Sequence, residues 1–284
     1  GLRYTEDERT YNGSITIGAP GTGQVAVSDE QVSWDISALY EVNPNWNLFA
    51  RVAHGYRGPS IQGRNLPVLT TADSETAMSY EAGFKARLWD GRARLNATAY
   101  FYEVDDMQFT AIGGIDNSNR LLNAKKGEGK GIEIDGDVYL GAGFTFAGGF
   151  AWNKTEIKDK DLLVAICGNH LCTVTDPLTR IGTSDRAAID GNPFPKAPEY
   201  SGNFTLSYVR QIGNDQELFA ATDWVMQKDT NLFLYESKEF MLGTQFEGGL
   251  RAGWRDLSRG LEAAAYVRNI TDEDNIIGAI DFNN

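Results

Sequence analysis

Met78-Ser79-Tyr80-Glu81-Ala82-Gly83-Phe84-Lys85-Ala86-Arg87-Leu88-Trp89 runs through Asp90-Gly91 into Arg92-Ala93-Arg94-Leu95-Asn96-Ala97-Thr98-Ala99-Tyr100-Phe101-Tyr102. In the first segment Tyr80, Ala82, Phe84, Ala86 and Leu88 fall on one face of a period-two chain, and Ser79, Glu81, Gly83, Lys85 and Arg87 on the other. A helical period would bring Glu81, Lys85 and Leu88 together and scatter the apolar set, so the segment reads as a strand. Ala93, Leu95, Ala97, Ala99 and Phe101 repeat the alternation. Asp90-Gly91 between the two runs is a strong hairpin signal.

The same pattern recurs along the chain. Phe240 to Arg255 alternates without a break, and Gly131 to Tyr139 sets Ile132, Ile134 and Val138 against Glu133, Asp135 and Asp137. Weaker alternation covers 2–11, 32–42, 46–56, 144–157, 201–211, 217–228 and 261–270, giving about eleven strands of about ten residues or more. Their connections alternate in kind. Short turns are expected at Asn43-Pro44-Asn45, Asp90-Gly91, Gly141-Ala142-Gly143, Gly213-Asn214-Asp215 and 257–260. Long loops are expected at 12–31, 58–75, 108–129, 158–196 and 229–239. An up-and-down sheet with its short turns at one end and its long loops at the other has this order.

Alternation does not say which face is dry. Strand length favours a membrane wall, because globular strands peak at about 5–6 residues whereas a tilted membrane strand needs about 9–11. The polar faces carry Glu133, Asp135 and Asp137 in one strand and Glu247, Arg251 and Arg255 in another. A barrel this wide cannot fill its interior with side chains, so a watery lumen accommodates these charges. Tyr40, Trp46, Trp89, Trp152, Tyr208 and Trp254 sit near strand ends, where a lipid–water boundary favours Trp and Tyr. Backbone groups inside lipid must all be paired, so the strands are expected to belong to a larger, closed barrel.

Composition agrees. The chain has 284 residues, 31 glycines, 42% hydrophobic residues and a net charge of −13. An acidic chain lacks the basic footprint that nucleic acid demands. No run reaches the roughly 18 apolar residues of a membrane helix; the stretch 138–153 is broken by Gly141, Gly143, Gly148 and Gly149.

Little catalytic chemistry is written in the residues. No Gly-x-Ser-x-Gly elbow and no phosphate loop occurs, and 18–23 lacks the strand-to-helix context of a nucleotide loop and reads as flexible. Cys167 and Cys172 flank Gly168-Asn169-His170-Leu171 in the longest loop. They read as a local disulfide worth about 2 kcal/mol in the chain-entropy model. The alternative, a Cys/His metal site using His170, would need a fourth ligand that the sequence does not offer. His54 reads as structural. No cofactor is expected.

Several segments together resemble TonB-dependent receptors. Gly1-Leu2-Arg3-Tyr4-Thr5-Glu6-Asp7 looks like a mid-barrel strand of that family. Asn47-Leu48-Phe49-Ala50-Arg51 through Gly55-Tyr56-Arg57-Gly58-Pro59-Ser60 resembles its segment rising into an outer loop, and 75–108 its long hairpin with the Asp-Gly-Arg turn. Asn123-Ala124-Lys125 with Gly131-Ile132-Glu133-Ile134-Asp135, then Pro195-Lys196-Ala197-Pro198, then Asn269-Ile270-Thr271-Asp272 follow in the family's order. The resemblance implies an all-β, transmembrane, antiparallel up-and-down β-barrel, of which residues 1–284 would be about eleven of roughly 22 strands.

It further implies a Gram-negative outer-membrane location, no enzymatic activity, and active uptake of a siderophore, haem, cobalamin or oligosaccharide. The implied partners are the TonB energy-coupling complex, acting through a plug domain absent from 1–284, a small-molecule nutrient, and outer-membrane lipid or lipopolysaccharide. A passive porin is the alternative; a barrel-based adhesin or enzyme ranks below it. The absence of a signal peptide at the start and of the family's aromatic-ended last strand is expected of a partial barrel. Loop residues expected to meet ligand are Tyr56, Arg57, Arg64, Phe109, Arg120, Phe233 and Tyr235.

Overall fold

A computed structural model describes residues 1–15, 21–62, 69–114, 118–168, 171–276 and 278–279. Within them lie β1 (Leu2–Ile15), β2 (Gly21–Asn43), β3 (Trp46–Arg57), β4 (Ser60–Gln62), β5 (Thr70–Ala72), β6 (Glu75–Leu88), β7 (Ala93–Gly113), β8 (Ser118–Gly141) and β9 (Phe144–Lys158). There follow β10 (Leu163–Ala165), β11 (Leu178–Ile181), β12 (Ser184–Ala188), β13 (Tyr200–Gln211), β14 (Gln216–Gln227), β15 (Thr230–Asn231), a 3-10 turn at Lys238–Phe240, β16 (Met241–Leu242), β17 (Gln245–Asp256) and β18 (Leu261–Val267).

Eleven of these form one antiparallel sheet in the order β1-β2-β3-β6-β7-β8-β9-β13-β14-β17-β18. Each strand neighbours the next one of the wall in sequence, which is the up-and-down order read from the alternating turns and loops. The sheet does not close on itself among the described residues. Short pieces of sheet, β10-β12-β11, β15-β16 and β4-β5, occupy the long loops at one end.

The register separates the two faces. One row across the wall is Tyr40, Leu48, Phe84, Ala97, Ile134, Phe150, Gly202, Met226 and Phe246. The row one residue along is Asn47, Lys85, Asn96, Asp135, Gly149, Asn203, Val225 and Glu247, and faces the other way. The apolar row stays open to its surroundings: Leu48 is 45% exposed, Ile134 41%, Phe150 40% and Phe246 42%. Among the described residues no second layer covers these side chains, so there the apolar face is not the inside of a dry core. On the polar face Arg94 pairs with Asp137 at 2.7 Å, and Asn96 Nδ2 donates to Asp135 Oδ2 at 2.9 Å.

Aromatic contacts mark both margins of the apolar band. Trp46 packs on Phe84 and Phe144 on Tyr208 towards the short turns. Tyr80 packs on Phe101 and Phe150 on Tyr200 towards the long loops. The tight Asp90-Gly91 turn holds Trp89, Asp90 and Gly91 at positive φ, the left-handed backbone such a two-strand reversal requires.

Three loop expectations are corrected. The stretch 12–31 is mostly strand: β1 and β2 pair from Leu2↔Trp34 to Ile15↔Gly21, so Gly21, Thr22 and Gly23 belong to β2, and 16–20 lie outside the described residues. The stretch 108–129 is likewise the upper hairpin of β7 and β8, paired through Gln108↔Asn123 to Gly113↔Ser118. Beyond the apolar band both faces meet water, so alternation disappears from the sequence while backbone pairing goes on. Finally, 158–196 folds into β10, β11 and β12.

Candidate functional site

The loop-bearing end has a small hydrophobic core of its own. Ile157, Val164, Ile166, Ala187, Ile189 and the run Leu232 to Tyr235 are buried together against Ala124, with Phe109, Ile112, Leu122 and Phe194 packed on them. The upper β7–β8 hairpin is therefore the base on which loops 159–199 and 228–244 rest. Gly114 N donates to Ile166 O at 2.8 Å, tying the hairpin tip to the loop.

The two loops are stitched by backbone. Val174 bridges Ser237, Thr175 N donates to Glu236 O, and Lys238 N donates to Thr173 O. Buried amides complete the join. Asn192 Nδ2 donates to Asp176 Oδ2 and Leu234 O at 3.0 and 3.1 Å, and Asn231 Nδ2 donates to Phe233 O at 2.7 Å. Asp176 Oδ2 also accepts from Glu236 N at 2.7 Å. The Glu236 carboxyl is partly buried beside Asp176, and burial first, then that neighbouring charge, raises its pKa. Glu239 is shifted the other way: the Thr173 backbone N–H and hydroxyl donate to it at 2.7 and 2.8 Å and lower its pKa. Cys167, buried, is disulfide-bonded to Cys172, with Cα atoms 6.2 Å apart.

A second join links the loops over β3 and β6 to the same hairpin. Gln108, buried, donates through Nε2 to Gly58 O at 2.8 Å and Asp73 O at 2.9 Å, while its Oε1 accepts from Ser60 Oγ at 2.7 Å. Asn123 Oδ1 accepts from Asp73 N at 2.8 Å, and Asn123 Nδ2 donates to Asp73 O and Asp106 O at 2.9 and 2.6 Å.

The loop residues singled out in the sequence are dispersed over this end. Arg57 is exposed and pairs with Glu75 at 3.5 Å; Tyr56, beside it, is half-buried with its hydroxyl enclosed. Phe109 meets Phe194 edge-on at 5.9 Å between ring centres. Arg120 is exposed on β8 opposite Ala111. Phe233 and Tyr235 are buried, 8% and 1% exposed, and stack at 5.9 Å within the loop core. Arg64 and His170 lie outside the described residues. His54 stacks on Trp34, and its Nδ1 lies 3.0 Å from Val32 O. Among the described residues no three His, Cys, Asp or Glu side chains gather as metal ligands.

Sequence reading missed Gln108, Asn123, Asn192 and Asn231. Amides in loop-like sequence look like solvated side chains, and only a fold shows that Gln108, Asn192 and Asn231 are buried, that Asn123 is half-buried, and that all four donate to backbone carbonyls. On the polar face of the wall, a cavity of about 410 Å³ is lined by Ser79, Glu81, Thr98, Tyr100, Glu133 and Asn153, where the Tyr100 hydroxyl donates to Asn153 Oδ1 at 2.9 Å.

Comparison with known proteins places this architecture. The family profile described as "TonB dependent receptor-like, beta-barrel" matches residues 1–239. The pesticin receptor of Yersinia pestis is 27% identical over 216 residues, which is 74% of this chain and 27% of the receptor. The ferric yersiniabactin uptake receptor FyuA from Yersinia pestis superposes with a TM-score of 0.71 at 19% identity, over 96% of this chain and 37% of that one. The siderophore receptor PiuA from Acinetobacter baumannii gives a TM-score of 0.69 at 13% identity, over 96% and 36%. The chain thus spans about a quarter of the length of the curated relatives it matches.

Proposed function

The chain belongs to the TonB-dependent receptor family, as part of its β-barrel, and from that premise we propose that the natural protein carries a scarce nutrient across the outer membrane of a Gram-negative bacterium with energy supplied through TonB. The family is one of transport receptors, not of enzymes. The observation that carries the reading is a wall with its apolar row open on one side and its ionised row on the other. Such a wall meets acyl chains outside and water within. A folded cap of loops at one end supplies a surface on which a ligand can dock before it enters. A plug domain elsewhere in the natural protein, filling the lumen, is part of the proposal.

The substrate class favoured is a ferric siderophore, because FyuA is described as a ferric yersiniabactin uptake receptor and PiuA as a siderophore receptor. Arg57, Arg120, Arg64, Tyr56 and Phe109 are the proposed ligand contacts. Phe233 and Tyr235, being buried, would act by holding the loop cap in shape.

The test is uptake of radiolabelled iron from a panel of ferric siderophores by a strain carrying the intact gene, its deletion, or the gene with tonB deleted. Loss of uptake of one siderophore in both deletion strains supports the proposal. Uptake that persists without TonB would make the barrel a passive porin. Uptake of haem, cobalamin or an oligosaccharide instead would keep the receptor and replace the substrate.

A further inference from the structure

Arg57 and Glu75 form the last cross-strand pair of β3 and β6. They share the parity of Asn47↔Lys85 and Arg51↔Glu81, so both face the wet side of the wall, at its rim on the side of the long loops. At the same level β6 and β7 part, beyond Thr76↔Asp105. Pairing resumes in β4 and β5 at Ser60↔Ala72. Between the two ladders lie Gly58-Pro59 on one side and Asp73-Ser74 on the other. Pro59 has no N–H with which to carry the ladder through.

The gap is filled from a third strand. Gln108 of β7, 6% exposed, sends its amide into it. Nε2 donates to Gly58 O at 2.8 Å and to Asp73 O at 2.9 Å, and Oε1 accepts from Ser60 Oγ at 2.7 Å. The Gln108 backbone N–H donates to Glu75 Oε2 at 2.5 Å. Glu75 Oε1 in turn holds Arg57 Nη1 at 3.5 Å. One buried residue thus fixes the chain just after Arg57, the chain just before Glu75, and the Glu75 carboxylate itself. Shortly before Gln108 the backbone of Asp106 is left-handed, at φ 53. The β7–β8 pairing skips it, from Asp105↔Lys126 to Met107↔Ala124. A non-glycine residue held there is strained, and such strain persists where its surroundings over-determine it, often at a binding site.

What this scaffold holds up is a guanidinium. The Arg57 side chain is 59% exposed, against 17% for Glu75, its one ion-pair partner among the described residues. Glu75 meets Nη1 at the edge of hydrogen-bond range, which leaves the other N–H donors of the fork open to the lumen mouth. An ion pair this exposed contributes little to stability, so a buried, fully bonded glutamine behind it is more than the pair itself needs. A planar fork of donors held in one place fits an anionic oxygen such as a carboxylate or phenolate. On a chain with a net charge of −13 the overall field does not attract anions, so recognising one calls for a placed cation.

We propose that Gln108 is a positioning residue: inserted in the gap, it sets Arg57 to receive an anionic oxygen group of the incoming ligand, so that the mouth takes negatively charged ferric complexes in preference to neutral ones. The inference rests on the reading of the protein as a ferric-siderophore receptor with Arg57 among its ligand contacts.

The experiment uses the full-length natural protein in neutral detergent and two probes of similar size, an anionic ferric tris-catecholate and a neutral ferric trihydroxamate. Affinities are measured by titration calorimetry. The native protein is expected to bind the anionic complex more tightly, and Arg57→Gln to weaken that binding roughly thirtyfold, the worth of hydrogen bonds from a charged group. Gln108→Met keeps the side-chain length and the backbone N–H and removes only the amide. It is expected to weaken the anionic complex roughly tenfold and to leave the neutral one unchanged. Combined with Arg57→Gln it is expected to cost nothing further, because its effect runs through the guanidinium. Ser60→Ala, which removes a single donor to the amide, is expected to give roughly a threefold loss and serves where the methionine variant does not fold. A loss of the same size with and without Arg57, or an equal loss for both probes, makes Gln108 merely structural and overturns the proposal. So does a native protein that prefers the neutral complex. Binding of the anionic complex that Gln108→Met leaves intact sinks the positioning role alone. A native protein that binds neither complex sinks the siderophore reading, and the positioning role with it.

Discussion

Asn123 shows how much one side chain can hold. Its amide takes both backbone groups of Asp73 and the carbonyl of Asp106, so Asn123→Ala strands three backbone partners at once. At about 1 kcal/mol for each net hydrogen bond, the join between 69–74 and the hairpin should weaken by about 2–3 kcal/mol, read as faster amide exchange confined to 69–75 and 106–108. Unchanged exchange there would mean the amide is incidental. Glu236 acts in the opposite sense. Its pKa in the folded loop is raised above the unfolded value, so the loop is favoured while the carboxyl is protonated. That advantage is lost as pH rises through the raised value. Glu236→Gln should therefore protect the 230–242 segment more than the native residue at about pH 7, and the difference should vanish near pH 4. The Cys167→Ser/Cys172→Ser pair should loosen 163–189 by about 2 kcal/mol, read by the same exchange measurement. At this scale the sequence is only partly legible. The cysteine spacing announces a bond, but Phe233 and Tyr235 look like ligand-facing aromatics until the fold shows them walled in by Phe240 and Leu242. Short-range pattern does not encode burial in a loop.

Strands are legible where lipid lies on one side and water on the other. The row from Tyr40 to Phe246 can be read from alternation alone, because each residue had to suit one of two solvents. The upper parts of β1, β2, β7 and β8 have water on both sides, so either parity tolerates Thr, Glu or Lys and the period fades. A direct check is a pair of neighbouring substitutions in β7. Ala97→Arg puts a guanidinium in the apolar row and should cost about 2–4 kcal/mol of folding free energy in vesicles, whereas Thr98→Arg on the wet face should cost about 0–1 kcal/mol. Equal costs would mean that the two faces meet the same solvent. The elements also use glycine as a seat for rings. On the wet face Phe219 lies over Gly253, where a Cβ would come within 2.6 Å of the ring, and Arg251 and Arg255 flank that ring at 5.2 and 5.6 Å. A ring that covers a cross-strand glycine both shields its backbone and fixes register.

For the whole molecule the decisive feature is that, among the described residues, the wall has two edges. β1 pairs only with β2, and β18 only with β17, in the sheet order. The unpaired N–H and C=O groups along each outer edge have no water to turn to inside a bilayer, and each costs several kcal/mol there. Over the roughly nine residues that cross the hydrocarbon, an open edge outweighs the few kcal/mol by which a domain is normally stable. The wall therefore needs further strands joining β1 to β18. The share of FyuA that it superposes on, 37% of that chain, leaves ample length for them. The polypeptide 1–284, refolded alone into vesicles, should give no heat-modifiable monomer band and no protease-protected core. The full-length protein should give both. Edge-to-edge association, the ordinary fate of long free strands, should appear instead as concentration-dependent oligomers. A protease-protected monomer of 1–284 would show that β1 and β18 can meet and close a narrower barrel. The lumen face would then have to be crowded rather than watery, and the charges at Asp135, Glu247 and Arg251 would need partners within it.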